Sequence, residues 1–168
     1  MLNLRQVKEL FEYRDGDLYW KKILSNRVPK GSKVSGVNSL GYLRVRIDGE
    51  CYMAHKVVWL YHYGYLPEML DHIDGDPGNN RIENLRLCTK TTNGYNAKLS
   101  KRNSTGLKGL TWNKVNKNWR CGFHANGERV EVGSFMDKDE AIKALVKARG
   151  VHHGEFMNHG NPVNPEGA

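Results

Sequence analysis

From Asp74 to Arg81 the chain reads Asp-Gly-Asp-Pro-Gly-Asn-Asn-Arg, and neither a helix nor a strand can run through such a stretch. Pro77 lacks a backbone N–H, the two glycines favour turns, and the Asp and Asn side chains compete for backbone donors. Whatever flanks the segment must therefore double back. Met69 to Ile73 before it and Leu85 to Cys88 after it are short and largely apolar. The pattern predicts a strand, a tight polar turn and a return strand. Thr89 is a plausible N-cap for a helix over roughly 90–99. Two strands and a helix would then clasp one site, a ββα arrangement.

The same segment concentrates chemistry. Asp71 stands beside His72, and Asn79, Asn80, Asn84, Asn93 and Asn96 follow within one short span. Carboxylate and amide oxygens are the ligands a hard divalent cation prefers, and an unligated imidazole is the natural base near neutral pH. Asp74-Gly75 and Asn79-Asn80 read as turn formers rather than ligands. Neighbours on a strand point to opposite sides, so Asp71 and His72 need a local bend to serve one centre.

Charge is segregated around this segment. The formal net charge is +8, yet residues 61–96 carry three basic and five acidic side chains. Residues 1–60 carry eleven basic against six acidic, and residues 97–150 twelve against five. An acidic island between two basic flanks suits a polyanion held by the flanks and a cation held by the island. The longest apolar run is far short of a membrane span, and the N-terminus lacks the layout of a secretion signal. Cys51, Cys88 and Cys121 are scattered, with no Cys-x-x-Cys pair. That argues against a disulfide framework and a thiolate zinc site, and a reducing cytoplasm is expected.

Around the island the chain organises itself by periodicity. Leu4, Val7, Leu10 and Phe11 have helical spacing, and Asp15-Gly16 turns the chain into a strand ending near Trp20. Residues 24–41 form a Ser, Gly and Lys-rich loop. Leu43, Val45 and Ile47 alternate with Tyr42, Arg44 and Arg46, and Asp48-Gly49 folds that strand back. A helix follows from Ala54 to Tyr63, ending at Gly64. His55 and His62 on it read as packed or surface histidines.

Residues 100–107 look like a linker. Beyond them Leu110 and Trp112, then Trp119, Cys121 and Phe123, then Val130 and Val132 mark three antiparallel strands, with an Asn126-Gly127 turn between the last two. Asp137 and Glu140 open a covering helix that stops at Gly150. Trp112 and Trp119 are expected in the core, and His152-His153 at the surface. Thr111, Asn113, Arg120, His124, Arg129 and Glu131 fall on the face opposite the core, where they suit base edges and phosphates.

Residues 42–99 resemble the HNH nuclease family, in the branch that places asparagines where others end on a histidine. The resemblance rests on Tyr52-x-x-His55 at the helix start and on the Asp-His-x-Asp-Gly-Asp-x-x-Asn-Asn-x-x-x-Asn-Leu core from Asp71 to Leu85. It implies a ββα-metal fold in which His72 is the general base and Asn84 holds its ring in the productive tautomer. Asp71 and Asn93 would bind one Mg²⁺ or Mn²⁺, with Asn93 preferred to Asn96 on family spacing. Residues 104–158 resemble the plant ethylene-response-factor (AP-two) DNA-binding fold, which also occurs fused to HNH nucleases in mobile elements. The anchors are the Gly106–Trp112 run, Trp119-Arg120, Val132–Phe135, Glu140-Ala141 and His153–Phe156. That resemblance implies a sheet lying in the major groove, and it adds Lys108 to the DNA-facing set, with Arg44 and Arg46 as phosphate contacts from the first segment. Plant members carry more arginines where this chain has Thr111 and Asn113, so a different sequence preference follows.

The expected fold is α+β. A small β-rich basic segment (1–52) precedes an HNH ββα-metal core (53–99), a linker (100–107), a three-stranded sheet on one helix (108–158) and a tail (159–168). The expected function is a DNA endonuclease of homing or mobile-element type, acting on double-stranded DNA in the cytoplasm as a monomer or weak dimer. It would nick one strand with one metal ion. The rivals are an inactive DNA-binding regulator on an HNH scaffold and, more weakly, an RNA nuclease or binder.

Overall fold

The computed structural model describes residues 2–23 and 28–157. They are mixed α+β, with four α-helices and four small antiparallel sheets. They form two compact units, one up to Thr89 and one from Lys90.

The first unit opens with α1 (Leu4–Leu10), capped by Asn3, whose side chain accepts from the Gln6 amide while Gln6 returns a bond to the Asn3 amide. That reciprocal box satisfies two helix-end donors. Hairpin β1 (Phe11–Arg14) and β2 (Asp17–Trp20) follows, and then β3 (Arg44–Ile47) with β4 (Glu50–Met53). Both hairpins turn as the sequence requires: Asp15 and Gly16 have φ of 53° and 97°, Asp48 and Gly49 of 50° and 86°. Paired positive φ values match the right-handed twist of the flanking strands.

Helix α2 (Ala54–Tyr63) is buried at Ala54, His55, Val57, Val58, Trp59 and Leu60, and stops at Gly64 in the left-handed conformation. Short strands β5 (Leu70–His72) and β6 (Leu85–Leu87) pair antiparallel, with a 3-10 turn (Ile82–Asn84) before β6. One core joins all these pieces. Val7, Phe11, Val57 and Val58 are wholly inaccessible, and Leu18, Val45, Ile47, Leu60, Leu70 and Leu85 lie in the same cluster. Each such side chain contributes roughly 1.5–3 kcal/mol by burial. The hairpin turn at Gly16 abuts the polar turn between β5 and β6. Asp15 pairs with Arg81 at 2.7 Å, and the Tyr13 hydroxyl accepts from the Ile82 amide at 3.1 Å.

The second unit begins with α3 (Lys90–Asn96), followed by the sheet β7 (Leu110–Asn113), β8 (Asn118–Ala125) and β9 (Glu128–Phe135), in that order. Helix α4 (Lys138–His153) covers one face, with Ala141 and Leu145 against Leu110, Cys121, Phe123 and Ala125. Asp137 caps α4 by accepting from the Glu140 amide.

Three sequence expectations are corrected here. The helix does not stop at Gly150 but runs to His153. A helical glycine costs about 1 kcal/mol relative to alanine, and here the stripe Ala141, Leu145, Arg149 and His153, four residues apart, is buried throughout. For the same reason His153 is buried rather than exposed, stacked on Tyr95 at 3.9 Å. Trp112 is 40% exposed instead of core. It pairs with Trp119 at the hairpin end, where the Lys138 ammonium lies over the Trp119 ring at 5.3 Å.

Candidate active site and nucleic-acid face

In the first unit the chemistry gathers on β5 and on the turn after it. Leu70, Asp71 and His72 are all buried. Asp71 stands opposite Arg86 in the β5–β6 ladder. The guanidinium donates to its Oδ2 from Nε at 3.0 Å and from Nη2 at 2.8 Å. Alternation along the strand sends the next side chain elsewhere. The His72 ring meets Asn80, whose Oδ1 lies 2.9 Å from Nε2. His55 approaches edge-on at 5.1 Å and Tyr42 at 5.8 Å.

His55 is 7% exposed. Burial, reinforced by the like charges of His72 and Lys56, lowers its pKa to about 4 and keeps it neutral. Cys88 moves the other way. Burial first, and then the Asp71 charge, push its thiol up to about 11. At neutral pH it is therefore a protonated thiol.

Asn84 does not reach the His72 ring. Its Nδ2 donates to Asp74 Oδ1 at 2.9 Å and to the Asn79 carbonyl at 2.8 Å, and its Oδ1 accepts from the Asp74 amide at 3.1 Å. The Ile73 amide also donates to the Asn84 carbonyl. Asn84 therefore laces the turn to the strand just beyond His72. Asp74 is the hub of this lacing. Burial would raise its carboxyl, but bonds from Asp76, Asn79 and Asn84 outweigh that and hold it below the usual range.

Among the described residues no three His, Cys, Asp or Glu side chains come together as a metal-holding group. A metal here would rest on the Asp71 carboxylate with amide and water oxygens. That donor set fits a hard ion and not a thiolate-bound one. Asn93 lies on α3, in the second unit.

The second unit carries a polar sheet face. Thr111, Arg120, His124 and Arg129 line one shallow depression with Gly109, Gly122 and Phe123. Arg120 stands opposite Thr111 on one side and Ser134 on the other, and His124 opposite Arg129. Glu131 joins this face through an ion pair with Arg129. Two expected members lie elsewhere. Asn113 Oδ1 accepts from the Val115 and Asn116 amides, so it builds the hairpin turn. The Lys108 ammonium donates to the Tyr95 and Ala97 carbonyls near the C-terminal end of α3. Burial, with Arg149 nearby, lowers its pKa to about 8. In the first unit Arg44 and Arg46 are exposed, alternating with buried Val45 and Ile47.

Sequence reasoning missed Asn80, Tyr42 and Arg86 as neighbours of the site, and it placed His55 in the resemblance and read it as a packed or surface histidine without setting it against His72. Arg86 had a signal of its own: a basic residue in the return strand, placed to face Asp71 across a hairpin.

Residues 52–95, which include this strand–turn–strand core and its buried Asp71-His72 pair, match the family model described as HNH endonuclease. The chain thus carries an HNH endonuclease domain. It is 38% identical over 104 residues to Protein 3.8 of Escherichia phage T7, across 61% of this chain and 85% of that protein. It belongs to the same family as that phage protein. No solved structure matches, and among the described residues no helix is long and apolar enough to cross a membrane.

Proposed function

We propose that the protein is a metal-dependent DNA endonuclease that hydrolyses one phosphodiester bond per site and nicks one strand. The observation that carries this reading is the buried Asp71-His72 pair inside the segment that matches HNH endonucleases.

In this reading the Asp71 carboxylate is a ligand of one Mg²⁺ or Mn²⁺. The ion, when bound, neutralises charge on the phosphate and on the departing 3′ oxygen. His72 takes the proton from the attacking water, and Asn84 fixes the turn behind it. Arg86 holds the Asp71 carboxylate in place. His55, neutral and packed against His72, keeps bulk water from one side of the ring.

The second unit supplies affinity in the manner of an AP-two-like domain. Its sheet face presents Thr111, Arg120, His124, Arg129 and Glu131 to the duplex, and Arg44 and Arg46 add phosphate contacts from the first unit. A site-preferring nuclease of mobile-element type follows, with a double-strand break needing two copies or two successive nicks.

The test is conversion of supercoiled plasmid to the nicked form. Wild type with Mg²⁺ is expected to nick, while wild type with EDTA and His72→Ala with Mg²⁺ should fall by at least about 10²-fold, the low end of a general base's contribution. Equal background from wild type and His72→Ala over a range of DNAs would turn the reading to a DNA-binding regulator. Faster cleavage of RNA than of duplex would turn it to an RNA nuclease.

A further inference from the structure

The Asp71 carboxylate is not an open acid waiting for a cation. Its side chain is 6% exposed and that of Arg86 11%, so the pair is nearly dry. Both guanidinium bonds, from Nε at 3.0 Å and from Nη2 at 2.8 Å, end on the same oxygen, Oδ2. An arriving ion meets at most the other oxygen. It also meets a carboxylate whose charge is already balanced, at a depth where water screens charge weakly. The balance is built into the strands, because Asp71 and Arg86 face each other in the ladder, and a carboxylate buried there alone would be destabilising.

The neighbouring acid does not restore the deficit. Asp74 accepts at Oδ1 from the Asp76 amide and from Asn84 Nδ2, and at Oδ2 from Asn79 Nδ2. Both of its oxygens are engaged by the turn. Among the described residues no three His, Cys, Asp or Glu side chains gather around a cation. One balanced carboxylate with amide and water oxygens gives a dication little net negative charge. Mg²⁺ sites with so few carboxylates are completed by phosphates of the substrate.

We infer that Arg86 sets the metal affinity of the site: its guanidinium balances Asp71 in the free protein, so a divalent ion is held weakly until a DNA phosphate supplies the missing negative charge. The inference rests on the nuclease reading above. By linkage the effect is mutual, and the ion strengthens the hold on the phosphate by the same factor. Arg86 is thus a positioning residue for Asp71 that also keeps the site from loading fully before DNA is present.

The experiment follows Mn²⁺ binding to the full-length protein near neutral pH, by loss of the free-ion electron paramagnetic resonance signal. Arg86→Gln keeps a donor for Oδ2 and removes the charge, and it should bind Mn²⁺ at least about tenfold more tightly than wild type. Adding Asp71→Asn to it should abolish that gain. Arg86→Lys keeps the charge and should stay within about threefold of wild type. His72→Ala, used so that the DNA stays intact, should bind Mn²⁺ at least about tenfold more tightly with a short duplex than without, once ions bound by the duplex alone are subtracted. A folded Arg86→Gln protein that binds Mn²⁺ no more tightly than wild type overturns the inference, as does equal affinity with and without duplex. Should Arg86→Gln fail to fold, the duplex comparison decides alone. Every arm reads binding rather than cleavage. If wild type does not nick plasmid while the Mn²⁺ results hold, the nuclease reading falls and the charge balance stands.

Discussion

A buried neutral histidine makes the first unit sensitive to acid, and the effect can be sized from His55. Its ring is 7% exposed, with an imidazole pKa of about 4 set by burial and then by His72 and Lys56, against 6.5 when unperturbed. Below about pH 6.5 the unfolded chain binds a proton that the folded chain refuses, so stability falls as pH drops from there towards about 4 and is level above about pH 7. At roughly 1.4 kcal/mol per pH unit, the loss is about 2 kcal/mol between about pH 7 and pH 5, and about 3 kcal/mol by about pH 4. His55→Phe keeps an aromatic ring and removes the titration. Native-state hydrogen exchange of the α2 amides of Val57, Val58 and Leu60, corrected for intrinsic rates, follows this unit without interference from the other. The drop in opening free energy between pH 7 and pH 5 should be about 2 kcal/mol larger in wild type than in His55→Phe. Equal drops, or a His55 ring that titrates near 6.5 by NMR, would refute the burial argument.

Two further outcomes bear on the second unit. Gly109 has φ of 85°, and a Cβ there would lie 2.5 Å from the Gly122 carbonyl oxygen. Gly109→Ala should therefore destabilise this unit by about 2–4 kcal/mol, read from urea melts followed by tryptophan fluorescence. Arg120→Ala should lower the salt dependence of duplex binding, the slope of log K against log[salt], by about one unit. Lys108→Ala should leave that slope unchanged, because its ammonium is spent on the Tyr95 and Ala97 carbonyls. Anisotropy titrations across a salt series check both.

Much of the fold was legible because its signals are local. Asp15-Gly16, Asp48-Gly49 and Asn126-Gly127 each demand two positive φ values, and all three turn as read. The alternation of Arg44 to Ile47 and of Cys121 to Ala125 survives as exposed and buried faces. Misreadings came where tertiary packing overrode a local rule. Gly150 looked like a helix stop, but the buried Arg149 and His153 carry the helix past it. Lys108 looked like one more cation for phosphate, and nothing in its neighbours revealed that two carbonyls receive it. At the site, Asp71 and His72 stood out by residue type. Asn80 did not, because four Asx residues in one turn share the same propensities.

The abutment of Gly16 on the β5–β6 turn sets a limit on dissection. A methyl group at residue 16 would press to 2.9 Å from the Arg81 backbone nitrogen, at the peptide that joins Arg81 to the buried Asn80. Trimming the chain to residues 53 onward to obtain a minimal catalytic fragment would discard Asp15, Tyr13 and half of the shared interior. The β5–β6 turn would then have nothing behind it, and such a fragment would keep Asp71 and His72 without the hairpin that braces the turn beside them.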